Sequence, residues 1–70
     1  MLIGQISKQT KLSNHTIRYY EKLGFFKANT RRDNNYKEYP EDSVPILLFV
    51  TKAKTLGFNL KEIKEVIELY

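Results

Sequence analysis

No cysteine occurs in this chain of 70 residues, so a disulfide framework and thiolate metal sites are both excluded within it. That lack is compatible with a reducing compartment without proving one. Histidine is limited to His15, and no second imidazole or thiolate is at hand to complete a metal site among scattered carboxylates. Long apolar runs are missing too: the longest, residues 46–50 (ILLFV), is far too short to span a bilayer. The opening residues MLIGQISK show no basic leader followed by an apolar segment, so no secretion signal is expected and the chain reads as soluble and cytosolic. No nucleophile–base pair or carboxylate constellation stands out, which argues against an enzyme. A chain of this length is one domain with a marginal core, of the size that often needs a disulfide, a metal or a partner.

Acidic residues are scarce in the first half. Residues 1–39 carry eight basic side chains (Lys8, Lys11, Arg18, Lys22, Lys27, Arg31, Arg32, Lys37) against three acidic ones, a balance of +5. Residues 40–70 carry four basic and five acidic ones, a balance of −1. The positive field therefore belongs to the first half, where a polyanion is the natural partner. The competing reading is a solvated surface with a few excess lysines.

Glycines at 4, 24 and 57 and prolines at 40 and 45 divide the chain. Residues 4–10 read as a first short helix bracketed by Ile3, Ile6 and Leu12. A tight break at KLS follows, with Ser13 as N-cap of a second helix that stops at Gly24. Two helices about three residues apart match helix-turn-helix spacing, which many αα-turns share. Residues 25–39 (FFKANTRRDNNYKEY) predict a two-stranded hairpin with a basic tip at residues 30–35, a disordered loop being the rival. A third helix starts near Asp42, its N-cap, which puts Pro45 in the first turn. On it Val44, Leu47, Val50 and Leu56 are expected to share one face, with Phe49 and Ala53 beside it. Gly57 ends this helix. Asn59 with Glu62 forms a capping-box-like pair for a fourth helix, whose apolar face is Leu60, Ile63, Val66, Ile67 and Tyr70.

The second helix carries the functional signal. With Asn14 at the origin and about 100° per residue, Leu23, Thr16, Tyr20 and Ile17 gather on one side. Asn14, Arg18, Lys22 and His15 gather opposite, with Tyr19 at the border. The outward arc is hydrogen-bonding or cationic, and Arg18 offers a planar fork suited to phosphate and to the guanine edge. An ordinary solvated face is the alternative, but such faces usually mix in acids for i,i+4 pairs, and here only Glu21 is available, at the edge. Tyr20 falls on the core side, its hydroxyl in reach of a phosphate at the rim; Tyr19 is placed for backbone or sugar. In the hairpin Arg31, Arg32 and Lys37 offer cations, and Tyr36 and Tyr39 flat rings with polar tips, suited to minor-groove or backbone contact. Packing of Tyr39 against the helices is the competing role.

The linked set TIRYYEKLGFF, NNYKEY and KAKTLGFNLKEIKEVI resembles the DNA-binding domain of MerR-family bacterial transcription regulators over nearly the whole chain. The resemblance implies a mainly α fold, a winged helix-turn-helix of about four helices with a small two-stranded β-hairpin wing, forming one domain over residues 1–70. It implies sequence-specific binding of double-stranded promoter DNA in the cytoplasm, at the nucleoid, with RNA polymerase an indirect partner; from the residues themselves no cofactor, metal site or membrane contact is expected. Family members bind palindromic sites as homodimers and distort the duplex; a long dimerization helix and an effector region follow the domain, so this chain by itself is expected to be a monomer or weak dimer. Carried over by position, DNA contacts come from His15 and Arg18, with Tyr19 or Tyr20 at phosphate, from Arg31, Tyr36 and Lys37 in the wing, and from Lys54 at the flanking backbone. With Asn14, Lys22, Arg32 and Tyr39 from the residue reading, these make up the candidate site.

The wing motif of the family reads G-Y-R-x-Y. Here Asn35 replaces the glycine, which still tolerates positive φ, and Lys37 replaces the arginine, which loses the bidentate fork. Pro45 and Ile46 stand where a polar pair is common. Two other classes remain open: a MerR-like protein-interaction module of the co-chaperone modulator type, suggested by Ile46 and Leu48, and an excisionase-like architectural DNA-bending protein.

Overall fold

The computed structural model describes residues 1–31 and 37–69, with Thr30 and Arg31 described by backbone alone. The order of elements is α1 (Ile3–Thr10), α2 (Asn14–Lys22), β1 (Thr30–Arg31), β2 (Lys37–Glu38), α3 (Ser43–Thr55) and α4 (Leu60–Glu68). α1 packs on both α2 and α3, and α4 packs on α3. The two short strands pair antiparallel, with Thr30 opposite Glu38 and Arg31 opposite Lys37. This is the winged helix-turn-helix, mainly helical, that the sequence leads one to expect. The hairpin tip, with candidates Arg32 and Tyr36 as well as Asn35, lies outside the described residues, as does Tyr70.

The turn between α1 and α2 is tied down by short-range polar contacts. Lys11 takes a left-handed conformation (φ 63°) as its N–H donates to Ser7 O at 2.8 Å. Thr10 Oγ1 donates to Ile6 O at 2.8 Å and accepts from Leu12 N–H at 3.3 Å. Ser13 Oγ then accepts from Thr16 N–H at 3.1 Å, satisfying an orphan donor of the first turn of α2.

Two helices end alike. Gly24 (φ +93°) follows the last turn of α2, its N–H bonded to Glu21 O and that of Phe25 to Tyr20 O; Gly57 (φ +99°) does the same after α3, with bonds from Gly57 N–H to Lys54 O and from Phe58 N–H to Ala53 O. Both are Schellman closures, in which glycine takes the left-handed position without a Cβ penalty. After α2 the closure carries its usual apolar contact, the rings of Tyr20 and Phe25 meeting edge to face at 5.6 Å. α4 opens on the expected box: Asn59 Oδ1 accepts from Glu62 N–H at 2.8 Å and Glu62 Oε1 from Asn59 N–H at 3.0 Å.

The core consists of Ile6, Ile17, Tyr20, Phe25, Phe26, Tyr39, Leu47, Val50, Ala53 and Ile63. Two expectations for α3 need correction. Leu56 is 68 % exposed and Phe49 43 % exposed, so neither belongs to the core face. Nine residues separate Leu47 from Leu56, which puts them about half a turn apart, and Phe49 falls beside Leu56. The two form a second apolar face, bordering a groove that Phe58, Val66 and Leu69 also line. Asp42 stands at the N-cap position, yet its backbone is already helical (φ −71°, ψ −6°) and its side chain makes no capping bond. Pro45 does fall in the first turn, where its missing N–H leaves no bond unmade.

At the base of the wing, the Met1 ammonium donates to Tyr39 O at 2.8 Å and lies 3.2 Å from Glu38 Oε2. Tyr39 N–H answers with a bond to Met1 O at 2.7 Å. Ser43 is fully buried at the start of α3, and its Oγ has no hydrogen-bond partner among the described residues. Removing a buried hydroxyl without a partner relieves its desolvation cost. Ser43→Ala is therefore expected to leave stability unchanged or raise it by about 1 kcal/mol, as read from a urea or thermal melt.

Candidate nucleic-acid interface

α2 packs into the core through one side. Ile17 is fully buried and Tyr20 is 6 % exposed, while Asn14, His15, Arg18, Tyr19 and Lys22 are all exposed. The outward face is thus the predicted one, polar and cationic. Among the described residues, neither Arg18 nor Lys22 has a carboxylate within ion-pair distance. Leu23 O, at the end of the helix, accepts from Lys64 Nζ at 2.9 Å, so a cation from α4 sits at the negative end of the helix dipole.

The wing strand β2 lies against this helix. Lys37 and Tyr39 share with Arg18 an open groove of about 720 Å³, lined also by residues 2–5 at the start of α1. Glu21 joins the two elements: its Oε1 accepts from Tyr39 Oη at 2.7 Å and its Oε2 from Lys37 Nζ at 3.2 Å. Lys37 is consequently a paired cation, unlike Arg18.

Two candidates are buried. Tyr20 is a core residue, packed against Phe25 and Tyr19, so its ring is no part of the exposed face. Tyr39 is only 3 % exposed, stacks at a tilt on Phe26 at 5.6 Å and spends its hydroxyl on Glu21, so it packs the wing onto the helices. The apolar body of each ring outweighs its polar tip once a hydrophobic wall is available. Lys54 is exposed near the end of α3 and does not line the groove that Arg18 and Lys37 share. Arg31 is opposite Lys37 across the strand pair.

Sequence reasoning did not find Glu21 as a joint, nor Lys64 as a cap. Their partners are 16, 18 and 41 residues away, beyond any local pattern. The one available signal was that Glu21 is the single acid on a cationic helix.

Burial raises the Tyr39 hydroxyl from 10.0 to about 12, helped by its bond to Glu21 and by that carboxylate's charge, and opposed by Arg18. A phenol whose folded value is raised contributes stability that is full below the unfolded value and lost as pH climbs through the folded one. Stability is expected to fall between pH 10 and about 12 by roughly 2–3 kcal/mol from this group. Tyr39→Phe should flatten that part of the profile relative to the parent, measured by urea melts across alkaline pH.

The chain is similar to known transcription regulators. The chain matches the MerR HTH family regulatory protein family over residues 1–69. It is 39 % identical over 70 residues to the heavy metal-dependent transcription regulator 2 of Rhizobium meliloti (strain 1021), covering all of this chain and 48 % of that protein. To the HTH-type transcriptional regulator ZntR of Escherichia coli (strain K12) it is 33 % identical, covering 96 % of this chain and 48 % of the relative. The crystal structure of the transcription regulator PbrR691 from Ralstonia metallidurans CH34 in complex with lead(II) superposes with a TM-score of 0.85 at 29 % identity, over 99 % of this chain and 54 % of that one. The chain spans about half the length of the relatives it matches. With the anchored helix, the wing and the match over 69 of its 70 residues, the chain belongs to the MerR HTH family of regulatory proteins.

Proposed function

We propose that α2 is the recognition helix of a sequence-specific, double-stranded DNA-binding domain and that it enters the major groove. One observation carries the reading: the cation-bearing face of α2 is free of packing, because Ile17 and Tyr20 hold the helix from behind. Arg18 then reads a base edge with its planar fork, Asn14 and His15 hydrogen-bond beside it, and Lys22 and Tyr19 contact phosphate. Arg31 and Lys54 approach the flanking backbone. The role is non-enzymatic and cytoplasmic, and two copies read the halves of a palindromic promoter site and act on RNA polymerase through the DNA. The relatives' description as transcription regulators supports this.

Some relatives are named for heavy metals, which is said of those proteins, of which this chain spans about half the length. The chain has no cysteine, and among the described residues no group of three or more His, Asp or Glu side chains is placed to hold an ion.

Fluorescence anisotropy with promoter-length duplexes tests the reading. Log K should fall steeply with log salt, by about 0.9 per phosphate contacted; binding indifferent to salt would refute it. Arg18→Ala should cost about 1–3 kcal/mol and relax sequence preference. Lys22→Ala should weaken all sequences alike. Equal, uniform losses from both substitutions would remove Arg18 from base reading.

A further inference from the structure

The recognition face holds one acid, and its position is unusual. Glu21 is the only carboxylate on α2 and stands beside a surface meant for a polyanion, where a free negative charge opposes binding. The structure keeps it from being free. One oxygen accepts from the buried Tyr39 hydroxyl, and the other from the Lys37 ammonium, both on or next to the wing strand β2. The carboxylate is the more enclosed partner, with its side chain 16 % exposed against 40 % for Lys37.

We propose that Glu21 is the positioning residue of the interface: it fixes the wing to the recognition helix through Tyr39 and keeps the Lys37 ammonium occupied. The inference rests on the DNA reading above and assigns Lys37 a role different from that of a phosphate contact. If Lys37 left for a phosphate, Glu21 would keep a single donor and face the polyanion with its charge uncompensated. The same rotation would loosen one of the two ties that hold β2 against α2. A lysine in place of the arginine usual in this motif suits the task. Its compact ammonium satisfies one carboxylate oxygen and leaves the other to Tyr39, whereas a guanidinium fork favors taking both.

The test is a salt series of duplex binding with the 70-residue chain and two variants, each first shown to be folded by its circular dichroism melt. Glu21→Gln keeps an acceptor for Tyr39 and removes the charge that holds Lys37. Its slope of log K against log salt is expected to steepen by about 0.9, one added phosphate contact. Adding Lys37→Ala to Glu21→Gln should return the slope to the parent value. An unaltered slope in Glu21→Gln overturns the proposal, and so does a steeper slope that survives the loss of Lys37. Failure of the parent chain to bind any duplex at low salt would instead remove the DNA reading itself, and this inference with it.

Discussion

The exposed cationic face of α2 depends on the helix being packed through its opposite side, by Ile17 and Tyr20. A helix of nine residues is not stable alone in water, since nucleation costs more than two turns of hydrogen bonds return. Its conformation has to come from packing. Full burial of a side chain such as Ile17 contributes about 1.5–3 kcal/mol, and Tyr20 adds the area of a ring. A serine cap at one end and a glycine closure with an apolar clasp at the other define where the helix starts and stops. Asn14, His15, Arg18 and Lys22 stay exposed on the opposite side.

Much of this was legible because it is local. The Ser13 cap, the Gly24 and Gly57 closures and the Asn59–Glu62 box each occupy a few consecutive residues and obey backbone sterics alone. The two sides of α2 followed from helical periodicity. The third helix was misjudged for a reason periodicity explains: it has two apolar faces, and an interval of nine residues joins one to the other. Leu47 is on the first and Leu56 on the second. Which face is covered depends on where α1 and α4 approach, and the sequence of α3 does not carry that information.

Tyrosine was ambiguous for a similar reason. Tyr19, Tyr20 and Tyr39 have the same chemistry and separate by neighbors: one is open to solvent, one meets Phe25, and one is wedged between Phe26 and Glu21. The cations of the first half divide likewise. Charge counting treats Arg18 and Lys37 as equals, whereas the fold pairs only the second. Exposed charges more than about 10 Å apart are largely screened in ordinary salt, so such pairing matters more to a nearby phosphate than the overall balance of charge.

The contact between the first residue and β2 bears on how the molecule is handled. The Met1 ammonium supplies both a proton to Tyr39 O and a positive charge to Glu38, at the foot of the wing. A purification tag fused ahead of Met1 turns that ammonium into a neutral amide with one hydrogen, which cannot serve both Tyr39 O and the Glu38 carboxylate as the ammonium does. Fusion after α4 leaves these contacts as they are, and is the safer design for any measurement in which the wing takes part.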